Sequence, residues 1–96
     1  MAYDPGAIDA ALAAAVGDEP ALIAELRLAF VESAQRALVA LEQAETRDDW
    51  REAAARMKGL AASFGAVRLM ALAAQAADLP QDTAMLSKLR RSVARL

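Results

Sequence analysis

Apolar residues recur every three or four positions along most of the chain, which is the period of an α-helix and not of a β-strand. Four interruptions, at residues 17–20, 46–49, 65 and 79–80, divide this pattern into five segments. The predicted helices are residues 5–16, 19–45, 49–64, 67–78 and 80–96. From the second helix onward, the predicted inward-facing residues are Ile23, Leu26, Phe30, Ala37 and Leu41; Trp50, Ala53, Met57, Leu60 or Ala61, and Phe64; Leu69, Leu72, Ala76 and Leu79; and Met85 or Leu86, Leu89, Val93 and Leu96.

The interruptions contain residues that commonly begin or end helices. Asp18 is the predicted N-cap of the second helix, with Pro20 in its first turn. Asp49, followed three residues later by Glu52, resembles a capping box and predicts the start of the third helix. Gly65 is predicted to end that helix, because glycine adopts the left-handed backbone conformation without steric strain.

Composition supports an all-α fold. Alanine, the strongest helix former, accounts for 27 of the 96 residues, and aromatic residues for only 4%. Because short connections place neighbouring helices antiparallel, we expect residues 1–96 to form a single domain: an antiparallel up-down four-helix bundle with a short extra N-terminal helix.

Charge and residue content exclude several functional classes. The net charge of −2 argues against nucleic acid as a partner. The chain has neither cysteine nor histidine, so we expect no disulfide, no metal site, no cofactor and no catalysis that relies on these side chains. The first residues do not resemble a signal peptide, and no apolar run reaches the 18 or so residues of a membrane span. A cytoplasmic protein without a membrane partner is expected.

The outward face of the third predicted helix is unusual. Ala55, Lys58, Gly59 and Ala62 lie at spacings of three and four, on the side opposite the predicted inward residues. Exposed helix positions usually hold long polar side chains, and a glycine inside a helix costs about 1 kcal/mol relative to alanine. Two explanations for Gly59 remain open: it leaves room for a partner protein, or it relieves crowding between helices.

Residues 55–66 resemble the signature of histidine phosphotransfer (HPt) domains, which reads His-x-hydrophobic-Lys-Gly, then small residues, then an aromatic residue or leucine before a glycine. Upstream, residues 4–30 resemble the opening of the family, with Asp-Pro, a short helix, Gly-Asp-Glu-Pro and a long amphipathic helix. Residues 48–50, Asp-Asp-Trp, resemble the acidic-Trp start of the acceptor helix. The resemblance covers roughly residues 4–75, although residues 50–58 are about one turn shorter than is usual.

In the family, a histidine three residues before the lysine accepts a phosphoryl group from an aspartate of a receiver domain. Lys58 and Gly59 match the lysine and the glycine, whereas Ala55 occupies the position of the histidine. A methyl group cannot carry phosphate, so the resemblance implies a pseudo-HPt module of a two-component phosphorelay and not an enzyme. It implies docking of a response-regulator receiver domain or a histidine kinase by a monomer through Ala55, Arg56, Lys58, Gly59 and Ala62.

Two alternatives to this interpretation remain open. The natural chain could have histidine at position 55 and act as a true phosphorelay carrier, with Ala55 an engineered replacement. The chain could instead be a helical structural or oligomerisation module, which a concentration-dependent mass in solution would favour. Three arginines, Arg51, Arg56 and Arg68, could form a basic rim around the docking face or could simply pair with nearby carboxylates.

Overall fold

The computed structural model describes Leu12, Ala14, Gly17 and residues 19–79 and 81–96. In that part of the chain it contains four α-helices and no β-strand, which confirms the all-α prediction. The helices are α1 (Pro20–Gln43), α2 (Arg47–Ser63), α3 (Val67–Ala77) and α4 (Thr83–Ala94). Of the predicted helix at residues 5–16, only Leu12 and Ala14 are described; both are helical, and Leu12 belongs to the core. The rest of that predicted helix lies outside the described residues.

Each of the four helices packs against two others. The chain neighbours α1 and α2, α2 and α3, and α3 and α4 are in contact, and α1 also contacts α4. Among the described residues, no contact joins α1 to α3 or α2 to α4. The four helices therefore surround one core, with α2 placed between α1 and α3.

The first helix is longer than its partners, and only part of it is fully buried. At 1.5 Å per residue, the 24 residues of α1 span about 36 Å, whereas the 11 residues of α3 and the 12 of α4 span about 17–18 Å. The buried residues of α1 are accordingly confined to residues 30–41: Phe30, Ala34, Ala37 and Leu41. Ile23 and Leu26, also predicted to face inward, are only partly buried.

The starts of the helices differ from the sequence predictions. The predicted cap at Asp49 is wrong: Thr46 is the N-cap of α2, and its Oγ1 accepts a hydrogen bond of 3.0 Å from the backbone N–H of Asp49. The predicted start of the last helix at residue 80 is wrong as well. Asp82 caps α4, because its Oδ1 accepts hydrogen bonds of 2.8 and 3.3 Å from the N–H groups of Ala84 and Met85.

Three predictions concern the start of α1 and the end of α2. One is wrong and two are confirmed. Glu19 is the N-cap of α1, in place of the predicted Asp18, which itself lies outside the described residues. Pro20 occupies the first turn, as predicted, where its missing N–H has no helical partner to lose. Gly65 ends α2 with a left-handed φ of 73°, also as predicted. The next N–H, of Ala66, donates back to the carbonyl of Ala61 at 2.9 Å, which is the closing hydrogen bond of a Schellman motif.

Alanines separate the large side chains of the core. The largest fully buried side chains are Trp50, Phe30, Leu41, Met57, Leu69 and Leu89. Between them lie Ala34, Ala37, Ala53, Ala54, Ala61, Ala66, Ala73 and Ala76, each at most 4% exposed. A methyl side chain lets two helix backbones approach closely, so these eight alanines allow the helices to pack near one another.

Three specific contacts connect the helices. The indole Nε1–H of Trp50 donates to the carbonyl of Ala76 at 2.8 Å and joins α2 to α3 in the core. The rings of Phe30 and Phe64 stack at a centroid distance of 4.7 Å and connect α1 to the end of α2. At the surface, Arg90 of α4 donates from Nε and Nη2 to Oε2 of Glu42 of α1, at 2.8 Å each, a pair worth about 0–1 kcal/mol.

No helix in the described part of the chain combines the length and the apolarity that crossing a membrane requires.

Candidate functional site

The five residues of α2 that were predicted to bind a partner are all exposed: Ala55, Arg56, Lys58, Gly59 and Ala62. The buried residues of the helix point the other way, toward α1 and α3: Trp50, Ala53, Ala54, Met57 and Ala61. The prediction of a solvent face is therefore confirmed, and these five exposed residues are called the small-residue face below.

Two adjacent alanines show which residues of α2 belong to its exposed side. Ala54 has no exposed surface, whereas Ala55, one residue later and about 100° further around the helix, is exposed. The position that matches the phosphate-accepting histidine of HPt domains is therefore the exposed one. A longer side chain at position 55 would extend into solvent, and the same side chain at position 54 would enter the core.

Gly59 lies in open space. A Cβ atom built on it would meet no heavy atom within 4 Å outside its own helix backbone. Crowding between the described helices, one of the two explanations left open by the sequence, therefore does not account for Gly59. Packing within the described residues does not require a glycine here, although the helix is less stable with one.

Replacing Gly59 with alanine is expected to raise the free energy of unfolding by about 0.5–1 kcal/mol. Alanine loses less backbone entropy in a helix, and the added methyl group has room. Urea denaturation followed by circular dichroism would measure the change. A loss of stability would mean that Gly59 contacts part of the chain outside the described residues.

Ser63 extends the face by one turn, a role that was not predicted. It is exposed, and its hydroxyl donates a hydrogen bond of 2.9 Å to the carbonyl of Gly59. This bond to the backbone four residues earlier keeps the hydroxyl close to the helix. The only clue in the sequence was the spacing of four residues between Ser63 and the glycine.

Two of the three arginines considered for a basic rim, Arg56 and Arg68, line different clefts. Arg56 lines a cleft between α1 and α2 that also contains the carboxylates of Asp49 and Glu52. Arg68 lines a different cleft, between α3 and α4. Lys58 is exposed and lines neither of these two clefts, and it makes no ion pair or side-chain hydrogen bond with the described residues. Lys58 is thus a cation of the small-residue face that has no carboxylate partner among the described residues.

The chemistry available on this face is limited. It offers one free ammonium group, small side chains that allow close approach, and at Ala55 a methyl group in place of a nucleophile. In the described part of the chain, no three His, Cys, Asp or Glu side chains are grouped in a way that would hold a metal ion. The arrangement is suited to contact with another protein and has no side chain that could accept a phosphoryl group by the HPt mechanism.

Comparison of the chain with models of protein families, with curated proteins and with solved structures finds no match.

Proposed function

We propose that this chain is a non-phosphorylatable HPt-like module of a two-component phosphorelay. It docks a response-regulator receiver domain or a histidine kinase through the small-residue face. The proposal rests on the resemblance of residues 55–66 to the HPt signature and on the exposure of every matching surface position. Since Ala55 cannot take the phosphoryl group, docking occupies the partner and competes with a true carrier.

The open space around Gly59 is the observation that supports this proposal most strongly. A glycine inside α2 makes the helix less stable by about 1 kcal/mol relative to alanine, and no contact among the described residues explains it. Close approach of another protein does explain it, because any side chain at position 59 would stand between α2 and the incoming surface. The neighbouring exposed residues Ala55 and Ala62 also have short side chains, which leave the surrounding surface open to close approach.

Lys58 supplies the charge for recognition. Receiver domains have an acidic pocket around the phosphorylated aspartate, and a free ammonium group beside a flat surface is complementary to it. Since Lys58 makes no ion pair with the described residues, docking does not require an existing salt bridge to break. In the HPt family the matching lysine stabilises the negative charge of the phosphoryl group. In this chain, which takes no phosphoryl group, Lys58 would contribute only to binding the partner.

The arrangement that we propose for the helices is an antiparallel up-down bundle in one domain, with the short extra helix at residues 5–16. Two observations support this arrangement. The first helix in the chain, α1, contacts the last one, α4, as well as α2. The connections between the helices, at residues 44–46, 64–66 and 78–82, are short. We further propose that the module is a cytoplasmic monomer that binds its partner without catalysing a reaction.

Placing glutamate at position 59 is expected to weaken binding of the cognate receiver domain or kinase by about tenfold or more. The side chain adds bulk at the centre of the face and a charge that repels the acidic pocket. Isothermal titration calorimetry against the receiver domains and histidine kinases of the same organism would measure it. Gly59→Gln, which adds the same bulk without charge, separates the steric effect from the electrostatic one.

The matched control is Gln35→Glu, which adds the same charge at an exposed position of α1, away from the small-residue face. It is expected to leave binding unchanged. Equal loss of binding in Gln35→Glu and Gly59→Glu would place the interface elsewhere. If the unaltered chain binds none of these receiver domains and kinases, the proposed function is wrong.

A further inference from the structure

A cleft between the beginning of α3 and the last turns of α4 contains an unusual concentration of positive charge. Its lining consists of Arg68, Lys88, Arg91, Arg95 and Ser92. The four cations are exposed and the serine is buried, and none of the described residues that line the cleft carries a carboxylate. Four of the 11 cationic residues of the chain therefore meet at one small site.

These cations are not neutralised within the described structure. None of the four makes an ion pair or a side-chain hydrogen bond with a described residue. Arg91 lies in the last turn of α4, where a cation offsets the negative end of the helix dipole. Arg68 lies in the first turn of α3, where a cation is unfavourable for the helix. Helix stability therefore does not explain why Arg68 faces this cleft.

Ser92 gives the cleft a polar base. The residue is only 6% exposed, and its Oγ has no hydrogen-bond partner in the described structure. Most buried hydroxyls are paired, because an unpaired one destabilises the fold and alanine would fill the same space without loss. The other residues that line the cleft are exposed cations with long, flexible side chains. An anion drawn in by them would give Ser92 the acceptor that it lacks.

The size of the cleft and the charge around it favour a small anion. The cavity volume is about 50 Å³, several times the roughly 10–15 Å³ that one water molecule requires. The chain as a whole has a net charge of −2, so without these four cations the remaining residues carry −6. A nucleic acid extending beyond the cleft would therefore meet a negatively charged surface, whereas a compact anion would contact only the cations.

We propose that this cleft binds a dianionic phosphate group, either as the free ion or as a small phosphomonoester. The guanidinium groups of Arg68, Arg91 and Arg95 bind its oxygens through charge-assisted hydrogen bonds, Lys88 adds a point charge, and Ser92 donates from the base. The site lies on α3 and α4, apart from the small-residue face, and does not depend on the proposed docking function.

The test is a calorimetric titration of the full chain with inorganic phosphate, and separately with glycerol 3-phosphate, at constant ionic strength. Saturable binding of one anion per chain is expected. Arg68→Gln and Arg91→Gln are each expected to lower the affinity about tenfold or more. Arg51→Gln removes the same charge from an exposed position of α2 and is expected to leave the affinity unchanged. The two ligands distinguish the free ion from the monoester.

Ser92→Ala separates binding from folding. We expect it to weaken phosphate binding while raising the midpoint of urea unfolding in phosphate-free buffer, because it removes the unpaired hydroxyl. An unchanged affinity in Ser92→Ala would overturn the role of the hydroxyl. The whole proposal would be overturned by the absence of saturable binding, by equal weakening in Arg51→Gln, or by a single-stranded DNA oligomer that binds where phosphate does not.

Discussion

Replacing Trp50 with alanine is expected to lower the free energy of unfolding by about 3–5 kcal/mol, the largest stability effect in this chain. The side chain is 1% exposed, and it is the largest of the fully buried ones. The substitution also removes the hydrogen bond from Nε1 to the carbonyl of Ala76. Because a domain of this size has a total stability of about 5–15 kcal/mol, a large share would be lost.

The carbonyl of Ala76 lacks its usual helical hydrogen-bond donor, and the indole of Trp50 donates to it. In a continuing helix this carbonyl would accept from the N–H four residues later, but that residue is Pro80, which has no N–H. The carbonyl accepts instead from the N–H of Leu79 at 3.1 Å and from the indole of Trp50. Trp50 thus fills the core between α2 and α3 and completes the hydrogen bonding at the end of α3.

Trp50→Phe separates these two roles. It keeps an aromatic ring but removes the donor, and we expect it to destabilise the chain by about 1–2 kcal/mol. Urea denaturation should be followed by far-ultraviolet circular dichroism, because Trp50 is the single tryptophan and its fluorescence is lost in both variants. A change below about 1 kcal/mol in Trp50→Ala would contradict the buried position of this side chain.

Introducing histidine at position 55 is expected to convert the chain from a protein that accepts no phosphate into one that does. The unaltered chain has no histidine, so its transfer rate by the HPt mechanism is zero. Position 55 is exposed on the small-residue face, and Lys58 lies one turn further along the same side of α2. The phosphoryl group would pass from the aspartyl phosphate of the receiver domain to an imidazole nitrogen, leaving the free carboxylate.

The measurement is the transfer of radiolabelled phosphate from a phosphorylated cognate receiver domain to each variant, resolved on a gel. Ala62→His is the matched control, since it places the same side chain on the same face two turns away. Labelling of Ala55→His but not of Ala62→His would show that the docking geometry is that of an HPt domain. Equal labelling of both variants, or of neither when the receiver domain binds, would refute that geometry.

The sequence alone determined the helical class and most of the inward face. Helix periodicity is a local property, repeated every 3.6 residues, so the buried positions Met57 and Leu89 and the exposed position Gly59 follow from spacing. The end of α2 at Gly65 was predictable for the same kind of reason, because glycine adopts a positive φ without strain. The absence of histidine from the whole chain is likewise a fact of sequence.

The exact starts of the helices were not predictable, because several neighbouring residues could act as caps. Asp49 is a residue type that often caps helices, but Thr46 is the cap here, because its Oγ1 accepts from the N–H of Asp49, three residues later in the chain. Asp82 in the same way takes two N–H groups of α4 and sets its start. Which of these residues becomes the N-cap depends on where the connecting segment leaves the preceding helix. That point is in turn decided by how the helices pack against one another.

Contacts between distant parts of the chain were decided by the tertiary structure alone. Helix periodicity says which side of a helix is apolar, but not which residue of another helix it meets. The hydrogen bond from Trp50 to Ala76, the open space at Gly59 and the separation of Arg56 from Arg68 all depend on how the helices cross. The cluster of cations around Ser92 arises because packing brings the start of α3 beside the end of α4, two segments that are about 20 residues apart in the sequence.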